Sequence, residues 1–239
     1  MATKEFLDTN DTAALEEQAV CLRDQLLIHL LRRTGCRVSE ILGIEVNQVD
    51  FTNQTVTIIH EKVRVTRYCP YCQSQGNKSR LSKKALFCTV CGERVSKSID
   101  QSKDENEFRS LPLDAKSLDM IKDYIDRGGT KKVGEKFQLF NITRQCAWKV
   151  VKDCAERAGL QGIINVKKQR VHHVSPHKLR DAFATNAANK DSSMEALKKL
   201  QEHLGHRHIN TTMGYVRTSG PQHREWFDNM IEEEGQDED

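Results

Sequence analysis

The chain has 239 residues, of which 37% are hydrophobic and 30% charged, and a formal net charge of +3. That length suits one large domain or two small ones. No apolar run approaches the roughly 20 residues of a membrane span. The stretch Met1 to Asp8 lacks the charged-then-apolar layout of a secretory signal, so a cytoplasmic protein is expected. The charge is uneven: Lys62 to Lys103 holds ten Lys/Arg against Glu93 and Asp100, a balance of +8 that leaves −5 for the rest. A basic block of this kind favours a polyanionic partner. Glu225 to Asp239 carries eight acids and no Lys or Arg, which suits a solvated tail.

Along the chain, Leu22, Leu26, Leu27, Leu30 and Leu31 recur at helical spacing and predict one helix over about 14–33. Gly35 can end it, and a short helix follows over Val38 to Gly43. Val56 to Ile59 is β-branched and reads as a strand; Phe108 to Leu113 reads as the last strand of that region. Asp114 is positioned to cap a helix carrying Leu118, Ile121, Tyr124 and Ile125, stopped at Gly128-Gly129. Thr143 is positioned to cap another, with Ala147, Val150, Val151, Cys154 and Ala158 on one face. Ser175 followed by Pro176 is a helix start, and Ser192 with Glu195 has capping-box spacing for a helix ending near Leu204-Gly205. The expected fold class is α+β, mostly helical, with a small antiparallel sheet. No internal repeat is visible.

The eight cysteines fall into two sets. Cys21, Cys36, Cys146 and Cys154 are scattered in apolar segments and read as small buried hydrophobes. Cys69-Pro70-Tyr71-Cys72, a gap of fifteen residues and Cys88-Thr89-Val90-Cys91 form a zinc-ribbon-like pattern. Each Cys-x-x-Cys turn presents two thiolates to one ion, and nearby Lys and Arg offset the charge of four. A closed four-sulfur shell has no open position, so the expected zinc is structural.

His177 and Arg180 lie three apart in the first turn of a helix, on one face. A helix N-terminus favours phosphate, and an arginine adds a bidentate fork. Alone, such a pair is most often a solvated helix face, and the same holds for Arg37 and for His206 after a helix end. Their joint order carries more. Thr34-Gly35-Cys36-Arg37-Val38-Ser39-Glu40 comes first; Ser175-Pro176-His177-Lys178-Leu179-Arg180 follows. Leu204-Gly205-His206 and Asn210-Thr211-Thr212-Met213-Gly214-Tyr215 close the series.

On these three boxes the chain resembles, over about residues 15–217, the catalytic domain of the tyrosine recombinase/phage integrase family, of the archaeal or mobile-element kind. The resemblance implies a recombinase fold with an inserted zinc ribbon. It implies that Tyr215 attacks a DNA phosphate, forming a 3′-phosphotyrosyl bond and releasing a 5′-hydroxyl. Arg37 and Arg180 would clamp the non-bridging oxygens, where charge builds. His177 would assist proton removal or hold the phosphate, and His206 would donate a hydrogen bond to it. Elementary chemistry agrees, since a phenol with pKa near 10 needs help at neutral pH. The covalent link conserves the bond energy, so neither ATP nor magnesium is needed to rejoin the strand. The implied partners are double-stranded DNA, further copies in a dimer or tetramer, and accessory DNA-binding proteins. The implied place is the nucleoid.

The family also supplies a general-acid lysine from a β-hairpin. Lys62 stands at the usual distance after Arg37, and Lys103 at the usual distance before Arg109 to Leu113. Lys103 is preferred, in a Gln101-Ser102-Lys103 turn closing onto the last strand. Asp181 departs from the pattern, standing where many members carry a second histidine. An N-terminal core-binding domain is also missing, which reads either as a fragment or as a minimal recombinase gripping DNA through its basic insertion. The expected organisation is 1–68 and 95–222 as the catalytic domain, 69–94 as a zinc-ribbon-like insertion and 223–239 as an acidic tail. Within that tail region Arg224, Trp226 and Phe227 suit docking onto a neighbouring protomer or packing on the domain itself. Two other functions stay open: a type IB topoisomerase-like nicking and rejoining enzyme, and a zinc-containing DNA-binding regulator on the same scaffold.

Overall fold

The computed structural model describes residues 6–216 except 78, 83, 84, 96–98, 161 and 166–169; for 60–66, 99–107, 164, 165 and 170 it describes the backbone alone. The C-terminal stretch with Arg224, Trp226, Phe227 and the acids lies outside the described residues. The elements begin with α1 (Thr9–Glu17), α2 (Leu22–Thr34), α3 (Val38–Leu42), β1 (Val49–Asp50), β2 (Thr55–Tyr68), α4 (Pro70–Ser74), β3 (Arg80–Leu81) and β4 (Ile99–Pro112). They continue with α5 (Ala115–Asp126), β5 (Lys131–Val133), β6 (Lys136–Gln138), α6 (Arg144–Arg157), β7 (Ile163–Asn165), β8 (Arg170–His172), α7 (Pro176–Lys190), α8 (Met194–Leu204) and α9 (Ile209–Met213). Two units result: Ile59–Phe108 is one, and the described residues on either side of it form the other.

In the larger unit α2 is the axial helix, touching α1, α5, α6 and α7. Leu26, Leu27, Ile28, Leu30 and Leu31 are all buried, so the helix is covered almost all round rather than on one face. The single helix expected over 14–33 is in fact two. Gln18 ends α1, and α2 starts after the extended Cys21. Nothing local breaks the run, which holds neither Gly nor Pro. Packing breaks it: α1 folds back on α2, and the freed Gln18 carbonyl accepts from Arg157 Nε at 3.0 Å and from the Cys154 thiol at 3.6 Å.

That fold-back buries a polar group beside the core. Glu16 Oε1 lies 3.0 Å from His29 Nδ1, His29 Nε2 lies 3.0 Å from Ser117 Oγ, and Arg32 and Lys116 also reach Glu16. Burial pushes the Glu16 carboxyl up, but the His29 and Arg32 contacts outweigh it and hold its pKa down at about 2. A carboxyl depressed in the folded state stabilises above its unfolded pKa and loses that contribution as pH falls. Glu16→Gln is therefore expected to cost about 2–3 kcal/mol at neutral pH. Its unfolding curve should converge on that of the wild type between about pH 4.5 and 2. A pH-independent difference in melting would reject this account.

β1 pairs antiparallel with β2 in the register Val49 to Val56, and β4 also pairs with β2. Gln101, Ser102 and Lys103 lie within β4 rather than in a turn, and Lys62 lies within β2 rather than after it. Long strands extend what the short β-branched run had marked. The caps of α5 and α6 are those expected, Asp114 accepting from Ser117 N and Thr143 from Cys146 N. That of α8 is shifted by one: Ser193, not Ser192, caps it, because Asp191 accepts from the Ser193 N–H and turns the chain there. α7 starts with Pro176 at its first position, though the Ser175 side chain makes no cap bond. The β5–β6 and β7–β8 hairpins were not expected. Cys36 and Cys154 are buried as small hydrophobes, but Cys21 is exposed because it sits in the α1–α2 break and Cys146 is half-buried.

Candidate active site and metal centre

Arg180 is 2% exposed, on the inward face of α7. Its Nη1 donates to the Gly35 carbonyl at 2.8 Å and its Nη2 to the Leu204 carbonyl at 2.7 Å. Both acceptors lie at helix ends, where unpaired carbonyls concentrate negative dipole. Gly35 ends α2 at φ 61° and Gly205 ends α8 at φ 66°, a left-handed backbone that glycine adopts without strain. At Gly205 a side chain would also strike the Arg109 guanidinium. Burial lowers the Arg180 pKa, Arg37 lowers it further, and Glu40 opposes them.

Glu40 is a buried carboxylate tying two more arginines. Its Oε1 accepts from Arg37 Nη1 at 2.8 Å; its Oε2 accepts from the Arg37 backbone N–H at 2.8 Å and from Arg109 Nη2 at 2.7 Å. Burial pushes the Glu40 pKa up, yet Arg109 and the Arg37 N–H bring it net down. Two guanidiniums bond to this carboxylate and Arg180 feels its charge without a bond to it, so three arginines against one acid leave a local excess of two positive charges. The excess faces a cleft of ≈ 380 Å³ lined by Arg37, Ser39, Arg144, Trp148, His177 and Arg180, among others. The N-terminus of α7 opens onto the same cleft through Ser175 and Pro176. Arginine forks, a helix N-terminus and a water-accessible histidine make an anion site that suits a phosphodiester.

His206 and Tyr215 do not line this cleft but lie next to it, close enough to Arg180 and Arg37 to feel their charge. His206 Nδ1 lies 3.0 Å from Thr212 Oγ1, and its ring stacks on Tyr215 at 5.9 Å and 13°. Burial, then Arg180, Arg37 and Arg109, push the His206 pKa down to about 4. The imidazole is therefore neutral at pH 7 and able to donate from one nitrogen. The Tyr215 hydroxyl donates to Asp181 Oδ1 at 3.2 Å, in a smaller pocket of ≈ 140 Å³ with Lys178 and Thr185. Burial, then Asp181, push the Tyr215 pKa up to about 12.

Of the seven expected residues, the fold brings Arg37, His177 and Arg180 onto one cleft and stacks His206 on Tyr215 beside it. Lys62 and Lys103 fall on the paired strands β2 and β4, and their side chains lie outside the described residues. Sequence reasoning missed Glu40, Arg109, Arg144, Trp148 and Thr212, and gave Asp181 no part. For Glu40 a signal existed, since its spacing of three from Arg37 is that of a capping box. Arg109 had none, because its partner is 69 residues away.

The smaller unit holds the cysteine quartet. Its sulfur atoms all lie within 4.8 Å of one another, with Cys69 to Cys91 and Cys72 to Cys88 at 3.7 Å. Disulfide sulfurs stand about 2.05 Å apart, so these are not bridges. A tetrahedral shell with Zn–S of about 2.3 Å places its sulfurs about 3.8 Å apart, which these two pairs match. The Ser79 hydroxyl, 3.1 Å from Cys88 Sγ, with the Cys91 and Val90 N–H groups, holds the Cys88 thiol down at about 6. One thiolate is thus favoured by the protein alone, and a dication would stabilise the other three.

A crystal structure of XerA recombinase covers 96% of this chain and 65% of its own, at 18% identity and TM-score 0.59. A Tn1549 transposon integrase in complex with transposon right end DNA covers 97% of this chain and 67% of its own, at 16% identity and TM-score 0.61. At these identities the likeness establishes the mostly helical fold with small antiparallel sheets. The tyrosine recombinase XerD of Neisseria meningitidis serogroup B is 28% identical over 212 residues, 89% of this chain and 55% of that protein. The tyrosine recombinase XerC of Herpetosiphon aurantiacus is 28% identical over 206 residues, 83% of this chain and 49% of its own. The chain spans about half the length of the curated relatives it matches. Among the described residues no helix is long and apolar enough to cross a membrane. The model of the phage integrase family matches residues 4–220, and the chain belongs to that family of tyrosine recombinases.

Proposed function

We propose that this chain is the catalytic domain of a site-specific recombinase that cuts and rejoins double-stranded DNA through Tyr215. The observation that carries the reading is the cleft with Arg37, His177 and Arg180, its charge excess and the tyrosine beside it. In the reaction the Tyr215 oxygen bonds to phosphorus and the bond to the 5′-oxygen breaks. The phenol proton leaves, assisted by His177, and a lysine protonates the 5′-oxygen. Arg37 and Arg180 hold the non-bridging oxygens, with neutral His206 donating a further hydrogen bond. The strand is religated by the reverse attack, without ATP or magnesium. Lys103 on β4 is the preferred general acid and Lys62 on β2 its rival. We further read 69–94 as a structural zinc module inserted between 1–68 and 95–222, and 223–239 as an acidic tail. The working form is a dimer or tetramer on DNA at the nucleoid, with accessory DNA-binding proteins as further partners. A topoisomerase-like reading is less favoured, since the relatives are named recombinases.

A nicked suicide substrate that traps the covalent adduct tests this reading. The wild type should become linked to the 3′ side of the break and Tyr215→Phe should not. Lys103→Ala should slow adduct formation by about 10²-fold or more, with Lys62→Ala near the wild-type rate. The reverse ranking would transfer the role to Lys62. Supercoil relaxation without any dependence on site would favour the topoisomerase reading, and no adduct at all would leave a DNA-binding regulator.

A further inference from the structure

The mechanism gives Asp181 no role, yet it is the residue that holds the nucleophile. It follows Arg180 on α7, but Arg180 turns inward while Asp181 turns to the pocket containing Tyr215. Its Oδ1 accepts from the Tyr215 hydroxyl at 3.2 Å and lies 3.7 Å from His177 Nε2; its Oδ2 accepts from Lys178 Nζ at 3.2 Å. The tyrosine ring is fixed as well, stacked on His206 and packed against the cluster of Ala184, Ala188, Leu197 and Leu204. The charged and titratable groups facing Tyr215 are Asp181, Lys178 and Arg180 from α7, Arg37 from the head of α3, and His206 after α8.

A carboxylate is an unfavourable neighbour for a phenolate. It accepts the hydroxyl hydrogen, which stabilises the neutral phenol, and its charge repels the ionised form. Arg180 and Arg37 act in the opposite sense, but burial and Asp181 outweigh them. Resting on the recombinase reading above, we propose that Asp181 is a positioning residue that keeps Tyr215 neutral and docked on the α7 side of the site until DNA is bound. His177 links the two places, since it lines the phosphate cleft and also approaches Asp181. A phosphodiester in the cleft offers the tyrosine oxygen an electrophile beside Arg37 and Arg180, whose charges favour the ionised phenol, and the hydroxyl leaves Asp181 to turn towards phosphorus.

A phenol pKa raised by Asp181 moves the rising limb of the rate–pH profile to higher pH; removing the charge moves it back. Asp181→Asn, with Asp181→Ala as a second variant, should form the suicide-substrate adduct about three- to tenfold faster at neutral pH, with the rising limb displaced to lower pH. The profile separates this role from a structural one, because simple destabilisation lowers the amount of active protein without moving the limb. A slower adduct in both folded variants would make Asp181 the proton acceptor and overturn the proposal; an unchanged rate and profile would overturn it too. Failure of the recombinase reading looks different: wild type and Tyr215→Phe would then both give no adduct.

Discussion

Arg180→Ala is expected to lower the rate of covalent adduct formation by about 10²–10³-fold, the usual loss when one preorganised donor to a developing oxyanion is removed. It should also cost about 2–4 kcal/mol of stability, since two buried carbonyls lose their donor. Those carbonyls are Gly35 and Leu204, the ends of α2 and α8. One side chain thus carries the anion site and joins two helix ends, so the two losses should appear together. Arg37→Ala should separate them. Its side chain is 37% exposed and bonded to Glu40, so cleavage should fall comparably with a smaller loss of stability. Arg180→Lys keeps the charge but cannot present a planar fork to two carbonyls, and should recover little of either. Trapped adduct on denaturing gels and thermal melts measure both quantities. Wild-type cleavage by folded Arg180→Ala would place the phosphate clamp elsewhere.

The second large effect concerns the cysteine quartet. Purified protein is expected to hold about one zinc per chain, and Cys72→Ser/Cys91→Ser to hold none. The apolar cluster of this unit consists of Cys69, Cys72 and Cys88 with Leu81, Cys91 and Val95 packed against them. So few carbon atoms cannot offset the ordering of some twenty-five residues at about 1–2 kcal/mol each, whereas zinc supplies about 10–16 kcal/mol in comparable peptides. The metal-free variant should therefore lose hydrogen-exchange protection across 69–94 while α2 and α7 keep theirs. If this unit grips DNA through its ten Lys/Arg over Lys62 to Lys103, deleting 69–91 should weaken binding and flatten its salt dependence. Full zinc content in the double serine variant would refute the metal assignment. Unchanged affinity after the deletion would leave the module a role in protein contacts or stability.

How far the sequence could be read depended on the range of the interaction. The caps Asp114 and Thr143, the Pro176 helix start and the Cys-x-x-Cys turns were legible because each is closed by atoms three or four residues away. The shift from Ser192 to Ser193 shows the grain of such readings: two adjacent serines offer the same cap, and the Asp191 contact selects one. The break at Gln18 could not be read. It depends on how α1 packs, and the carbonyl it frees is taken up by Arg157 on α6, 139 residues further along. Likewise the strands ran on through Lys62 and Lys103 because β2 and β4 pair with one another, which no short window of β-branched residues reveals.

For the site itself, the sequence alone determined the identity and order of the proposed reactive groups: Arg37, His177, Arg180, His206 and Tyr215, and the four cysteines apart from them. Those boxes are contiguous, and spacing on a helix or turn decides which side chains share a face. Only the tertiary structure decided what each group is bonded to. It buried Arg180 between two helix ends, gave Arg37 and Arg109 a common carboxylate in Glu40, and set Tyr215 against Asp181 rather than in the phosphate cleft. The physical reason is that charge state and reach depend on burial and on partners as much as 145 residues distant. Those partners meet only when the helices pack.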